Sequence, residues 1–90
     1  MKCKLYTVGN KLIKESDSIP DNFTGIVNWG NYAGGDKSWL QNGRWHRLGG
    51  PAYTGRDNDG SFEIYFIDDK KVTKKQHDLL VDMMKLKGLL

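Results

Sequence analysis

The sequence predicts an α+β domain, mainly antiparallel β: a meander of about six short strands built from hairpin repeats of about 26 residues, with one C-terminal helix packed on one sheet face. Three observations lead there. Extended runs alternate with two-residue turn signals at Gly9-Asn10, Asn42-Gly43 and Asp68-Asp69. The stretch Phe23–Arg47 overlies Gly49–Thr73 without a gap at an offset of 26 residues. Only the last segment has helical periodicity, and it opens on a capping box.

Composition sets the frame. Ninety residues with 38% hydrophobic content fit one small core, so residues 1–90 form a single domain: an N-terminal hairpin (2–14), two hairpin repeats (23–72) and a helix (73–88). Eleven glycines against two prolines suit many tight turns, and 3 Trp, 4 Tyr and 3 Phe need packing that a disordered chain lacks. The net charge of +3 permits anionic partners but is far from the dense basic patch of a committed nucleic-acid binder. A lone Cys3 excludes an internal disulfide and points to a reducing compartment. No apolar run approaches the ~20 residues of a membrane span, and none follows Lys2 and Lys4 as a secretory signal needs. A cytoplasmic protein of a bacterial host cell, with no membrane partner and no cofactor, is the expectation.

In chain order, Lys2–Val8 and Lys11–Lys14 read as the first hairpin. Ser16–Asn22 is a loop rich in residues whose side chains close turns. Phe23–Trp29 is extended, residues 30–36 connect, and Lys37–Gln41 is a strand that turns at Asn42-Gly43. Arg44–Leu48 runs back, Gly49-Gly50-Pro51 interrupts it as a bulge or kink, and Ala52–Thr54 continues it. A turn at Asp57–Gly60 precedes Ser61–Ile67, where Phe62, Ile64 and Phe66 alternate with Glu63 and Tyr65. Thr73 and Gln76 cap the helix, Gly88 ends it, and Leu79, Leu80, Met83, Leu86 and Leu90 form the stripe expected to face the sheet.

The repeat places Trp39 on Tyr65, Leu40 on Phe66, Asn42 on Asp68 and Arg44 on Lys70, with a half copy at Tyr6–Lys11. Its fullest unit, Asn42-Gly43-Arg44-Trp45-His46-Arg47-Leu48-Gly49-Gly50-Pro51-Ala52, resembles the N-G-x-x-H-R-x-x-G-P-A hairpin repeat of bacterial and phage proteins, which is grouped with MORN-type repeats. Phe23–Val27 and Tyr65–Thr73 resemble that family's opening and closing units, so the likeness covers about Ile19–Leu90. The second copy lacks the His-Arg and Gly-Pro-Ala, as a terminal capping unit does. Trp45 stands where a smaller apolar residue is usual. The resemblance implies a β-hairpin array, generally without known catalysis, whose short phage-borne members look like accessory or host-modulating proteins.

Candidate sites each have two readings. His46-Arg47 reads either as a general base beside an anion-binding cation or as structural groups bonded across the hairpin. His46 and His77 stand 31 residues apart, and no cluster has zinc spacing. Asp57-Asn58-Asp59-Gly60 fails as a calcium loop, because a Gly at position six puts Phe66 where the bidentate Glu belongs. Trp39 and Tyr65, with Tyr6, share a sheet face. If the helix covers the Phe62 side, they form either an open stacking row or a cross-strand ladder. Arg44, Arg47, Lys70, Lys71, Lys74 and Lys75 should gather at one sheet end, with Asp36, Asp57 and Asp59 at the other; the basic rim either follows a phosphate backbone or serves solubility.

The functional expectation is a non-catalytic binding protein of phage or prophage type, an antitoxin-like inhibitor or modulator of a host protein such as a toxin or defence factor. Its binding residues would be Trp39, Arg44, Trp45, Arg47, Tyr65, Lys70, Lys71, Lys74 and Lys75. The alternative is binding of RNA or single-stranded nucleic acid, with RNA also able to bridge to a protein. An enzyme would have only His46 as a base, and an edge strand offers a route to a homodimer.

Overall fold

The computed structural model describes residues 3–29, 36–57 and 60–88. Its strands are β1 (Cys3–Tyr6), β2 (Leu12–Ser16), β3 (Gly25–Asn28), β4 (Lys37–Gln41), β5 (Arg44–Trp45), β6 (Tyr53–Asp57), β7 (Gly60–Ile67) and β8 (Lys70–Val72), followed by helix α1 (Lys74–Leu86). They form one antiparallel sheet in the order β2-β1-β3-β4-β6-β7-β8, with the two-residue β5 beside β4. The predicted class therefore holds, with eight described strands rather than six. The connection expected at 30–35, Asn58 and Asp59 of the predicted turn, and Leu90 of the helical stripe lie outside the described residues.

Turn chemistry explains most boundaries. Asn42 and Gly43 have φ of 52° and 79°, and Asp68 and Asp69 have 48° and 68°. Both pairs thus meet the type I′ requirement for positive φ at two successive positions, which matches the twist of the flanking strands. The first hairpin turns more widely. There Asn10 alone of the Gly9-Asn10 pair has positive φ, and the register slips between Leu5 and Tyr6.

The chain departs from a strict meander once. β1 lies between β2 and β3, so the segment after Ser16 crosses β1 to reach Gly25. Ile19 and Phe23 of that crossing pack on the buried Cys3, Leu5 and Val27. The β4–β5 turn seats on the same crossing: the Gly43 N–H donates to Phe23 O (2.9 Å) and the Asn42 N–H to Thr24 Oγ1 (3.0 Å). A Cβ at Gly43 would run into the Asp21 carbonyl oxygen, so only glycine fits.

Gly49-Gly50-Pro51 interrupts the return strand as expected. β4 pairs with β5 through Leu40↔Trp45 and then with β6 through Ser38↔Tyr53. Between them the His46 N–H donates to Trp39 O (3.1 Å) and the Trp39 N–H donates to Ala52 O (2.7 Å), so residues 47–51 loop out. Arg47 closes that bulge. Its guanidinium donates to Pro51 O (3.1 Å) and lies 4.1 Å from the centroid of the Trp39 ring.

The helix begins as predicted. The Gln76 N–H donates to Thr73 Oγ1 (3.1 Å) and the Thr73 N–H to Gln76 Oε1 (2.9 Å), the reciprocal pair that satisfies first-turn amides. Gly88 follows the helix at φ 72°. Which side faces the sheet is a correction. His77, 2% exposed, and the half-buried Leu80, Val81 and Met84 face inward, whereas Leu79, Met83 and Leu86 are 56%, 49% and 88% exposed. A hydrogen bond sets this roll. His77 Nε2 lies 2.6 Å from Arg47 O; a carbonyl only accepts, so Nε2 carries the proton and donates. The same imidazole stands 4.9 Å from the Tyr65 ring, so α1 covers the Tyr65 side of β7 and not the Phe62 side, a choice the sequence left open.

Two substitutions test this account. Gly43→Ala should lower stability by on the order of 1–3 kcal/mol, since it forces a side chain into positive φ against the crossing segment. Arg47→Ala should cost roughly 1–3 kcal/mol through the lost ring contact and carbonyl bond, with Arg47→Lys recovering less than half. Urea unfolding measures both, and unchanged midpoints would refute them.

Candidate binding site

The register divides the aromatic side chains between two faces. Tyr6↔Ile26 and Ile26↔Trp39 place Tyr6 and Trp39 on one face, which Tyr65 shares. Leu5↔Val27, Val27↔Ser38, Ser38↔Tyr53 and Tyr53↔Ile64 define the other, together with Leu40 and, through Leu40↔Trp45, Trp45. The expected row of Trp39 and Tyr65 is therefore one-sided but not open. Arg47 covers the Trp39 ring and His77 covers that of Tyr65.

The more accessible aromatic cluster is on the opposite face. Trp45, 38% exposed, lies 5.0 Å from Phe66 and meets Tyr53 edge-on at 6.1 Å, and Tyr53 stacks on Phe62 at 5.8 Å. Such offset and edge-to-face pairs add about 0.5–1.5 kcal/mol each beyond burial, so they hold Trp45 in place at the surface. Of this cluster the sequence reading singled out Trp45 alone. Period-2 alternation marked Phe62 and Phe66, but Tyr53 meets them only through a pairing across the bulge.

Backbone bonds anchor Trp45 to the next turn. Its N–H donates to Asp69 Oδ1 (2.7 Å) and its carbonyl accepts from the Asp69 N–H (2.8 Å). His46 Nδ1 accepts the Asp68 N–H (3.1 Å). The same nitrogen lies 3.4 Å from Asp68 Oδ1, but while it accepts an amide proton it has none to give a carboxylate, so the amide bond is the operative contact. His46 thus joins two hairpin turns, which is the structural side of its two readings.

The two turns therefore share one end of the sheet. Arg44, Lys70 and Lys71 come with them, and Lys74 and Lys75 follow in the first helical turn. All five are exposed, and none forms an ion pair among the described residues. Arg47 differs, because its guanidinium is committed to Trp39 and Pro51.

Beside Trp45 opens a cleft of about 430 Å³, within the range of pockets that hold small ligands or side chains. β4 supplies Ser38 and Leu40, Trp29 stands at the end of β3, and the crossing segment contributes Ile19, Pro20 and Asp21. Asp69 and Trp45 complete the lining with Gly43. No single stretch of sequence announced this cleft, because its parts come from positions 19 to 69.

Behind the cluster, the Tyr53 hydroxyl donates to Asp36 Oδ2 (2.9 Å). Burial raises the phenol pKa above its ordinary 10.0, and the hydrogen bond and negative charge of Asp36 raise it further. With the folded-state value above the unfolded one, this contribution to stability is whole below pH 10 and is lost as pH rises through the folded-state pKa. Alkaline unfolding should steepen in that window and flatten in Tyr53→Phe, and phenolate absorbance should show one tyrosine titrating late; coincident titration of all the tyrosines would contradict it. No helix among the described residues is long and apolar enough to cross a membrane. Comparison with protein-family models, curated proteins and solved structures returns no match to the chain.

Proposed function

We propose that the chain is a non-catalytic binding protein that docks on another protein through the face carrying Trp45. The observation that carries this reading is the anchored, surface-reaching Trp45, braced by Phe66 and Tyr53 and bordered by a cleft. Large aromatic side chains held rigid at a surface lose little entropy on binding and dominate the energetics of protein interfaces. Arg44, Lys70 and Lys71 at the same sheet end add charges that steer association without filling the interface core. The likeness of Asn42–Ala52 to phage-borne hairpin repeats suggests the setting: a host toxin or defence factor as the bound and inhibited protein.

Binding of single-stranded RNA has one supporting observation, the exposed Lys70, Lys71, Lys74 and Lys75, which form no ion pair among the described residues. It lacks the platform such binding uses, since Trp39 and Tyr65 lie under Arg47 and His77. Protein binding is the better supported of the two.

Co-purification from bacterial lysate tests the choice. The tagged chain should retain a stoichiometric protein that survives nuclease treatment and is lost with Trp45→Ala, while Trp45→Ala still unfolds in one cooperative transition, at a lower midpoint. Loss on nuclease treatment would favour RNA, and retention by Trp45→Ala would remove Trp45 from the interface.

A further inference from the structure

We propose that the cleft between Trp29 and Trp45 receives the guanidinium of an arginine side chain presented by the bound protein, an assignment that rests on the protein-binding reading above. The cleft reverses the charge of the chain around it. The protein carries +3, yet the described residues that line the cleft include two acidic ones, Asp21 and Asp69, and no lysine or arginine.

Both carboxylates have capacity to spare. Asp69 uses Oδ1 on the Trp45 N–H and makes no other side-chain bond, and the Asp21 carboxylate has no hydrogen bond or ion pair among the described residues. Ser38 provides a third, independent sign. It is only 2% exposed, lines the cleft on the same strand face as Leu40, and its hydroxyl makes no hydrogen bond among the described residues. An unpaired hydroxyl that opens on the cleft is able to accept from an incoming donor.

A guanidinium meets these features together. Its flat face stacks on an indole, its fork of five donors reaches carboxylates bidentately, and its weak hydration eases entry between two tryptophans. A lysine ammonium has neither plane nor fork. A phosphate or a carboxylate would face two like charges.

Two structural links give the cleft its shape before any ligand arrives. Gly43 seats on Asp21 through the crossing segment, and Asp69 is bonded twice to Trp45. Such preorganisation reduces the entropy lost on binding.

Indole N–H resonances of the intact chain test the assignment, because Trp29 and Trp45 line the cleft and Trp39 does not. Titration with N-acetyl-arginine amide should shift the Trp29 and Trp45 signals saturably and leave Trp39 in place. N-acetyl-norleucine amide and N-acetyl-lysine amide should bind more weakly by about tenfold or more. Asp21→Asn/Asp69→Asn should weaken the arginine probe by a similar factor, since asparagine keeps an acceptor for the Trp45 N–H but no charge. Should the double variant lose resonance dispersion, Asp21→Asn alone carries the comparison, as its side chain has no partner among the described residues. Equal binding of the norleucine probe, equal binding by the charge-neutral variant, or shifts spread over all three indoles would overturn the cleft assignment. Equal binding of the lysine probe would overturn its guanidinium specificity. A partner retained by Asp21→Asn/Asp69→Asn but lost with Trp45→Ala would overturn the cleft assignment while leaving the protein-binding reading intact.

Discussion

Arg47 is the residue on which the two halves of the molecule meet. Its guanidinium closes the 47–51 bulge on Pro51 and covers Trp39, while its own carbonyl accepts the His77 proton from the helix. Its N–H also points to Phe66 O at 3.4 Å, a long bond that ties the bulge to β7. Without the bulge the return strand would continue straight along β4, and α1 would have no carbonyl on which to dock. A hydrogen bond alone contributes about 1 kcal/mol net, but here several contacts share one side chain and one peptide unit, so they hold or fail as a group.

This arrangement splits the apolar surface between two small clusters. On one face the crossing segment covers Cys3, Leu5 and Val27; on the other the helix covers Tyr65. Each cover protects only part of the sheet. The exposed part of the first face, where the crossing ends and the Trp45 cluster begins, is the cleft. The exposed part of the helix is the Leu79, Met83 and Leu86 stripe. Accessible apolar surface in this small domain is thus a product of topology, since one crossing segment and one short helix cannot cover both faces of so broad a sheet.

What could be read in advance was local. Asn42-Gly43, Asp68-Asp69, the Gly-Gly-Pro interruption and the Thr73/Gln76 cap each act within a few residues, and each appears where its chemistry places it. Pleat parity was also readable, so Trp39 and Tyr65 were correctly set on one face. What covers a face was not. The apolar residues of α1 span more than half its circumference, from Leu86 through Leu79 and Met83 to Leu80, Met84 and Val81, so periodicity allowed several rolls and a bond to a carbonyl 30 residues away chose one. His77 was passed over because its role depends on that distant acceptor, although apolar partners three, four and seven residues on could have marked it as inward-facing. The cleft escaped for a similar reason, since Asp21, Trp29, Ser38 and Asp69 meet only after β3 has been laid across β1 from β2.

The strand order has a further consequence for how the molecule meets others of its kind. Its two outermost strands are unlike. β8 has three residues, two of them the exposed Lys70 and Lys71, and a cationic ladder this short deters pairing by another strand. β2 is longer, and Leu12 and Ile13 are each at least half exposed, with Val8 in the adjoining turn more so. Addition of a strand is therefore guarded against on one margin and comparatively unguarded on the other. The longer margin is not bare of charge, since β2 also carries the exposed Lys14 and Glu15, so the two margins differ in how much apolar surface flanks the charge.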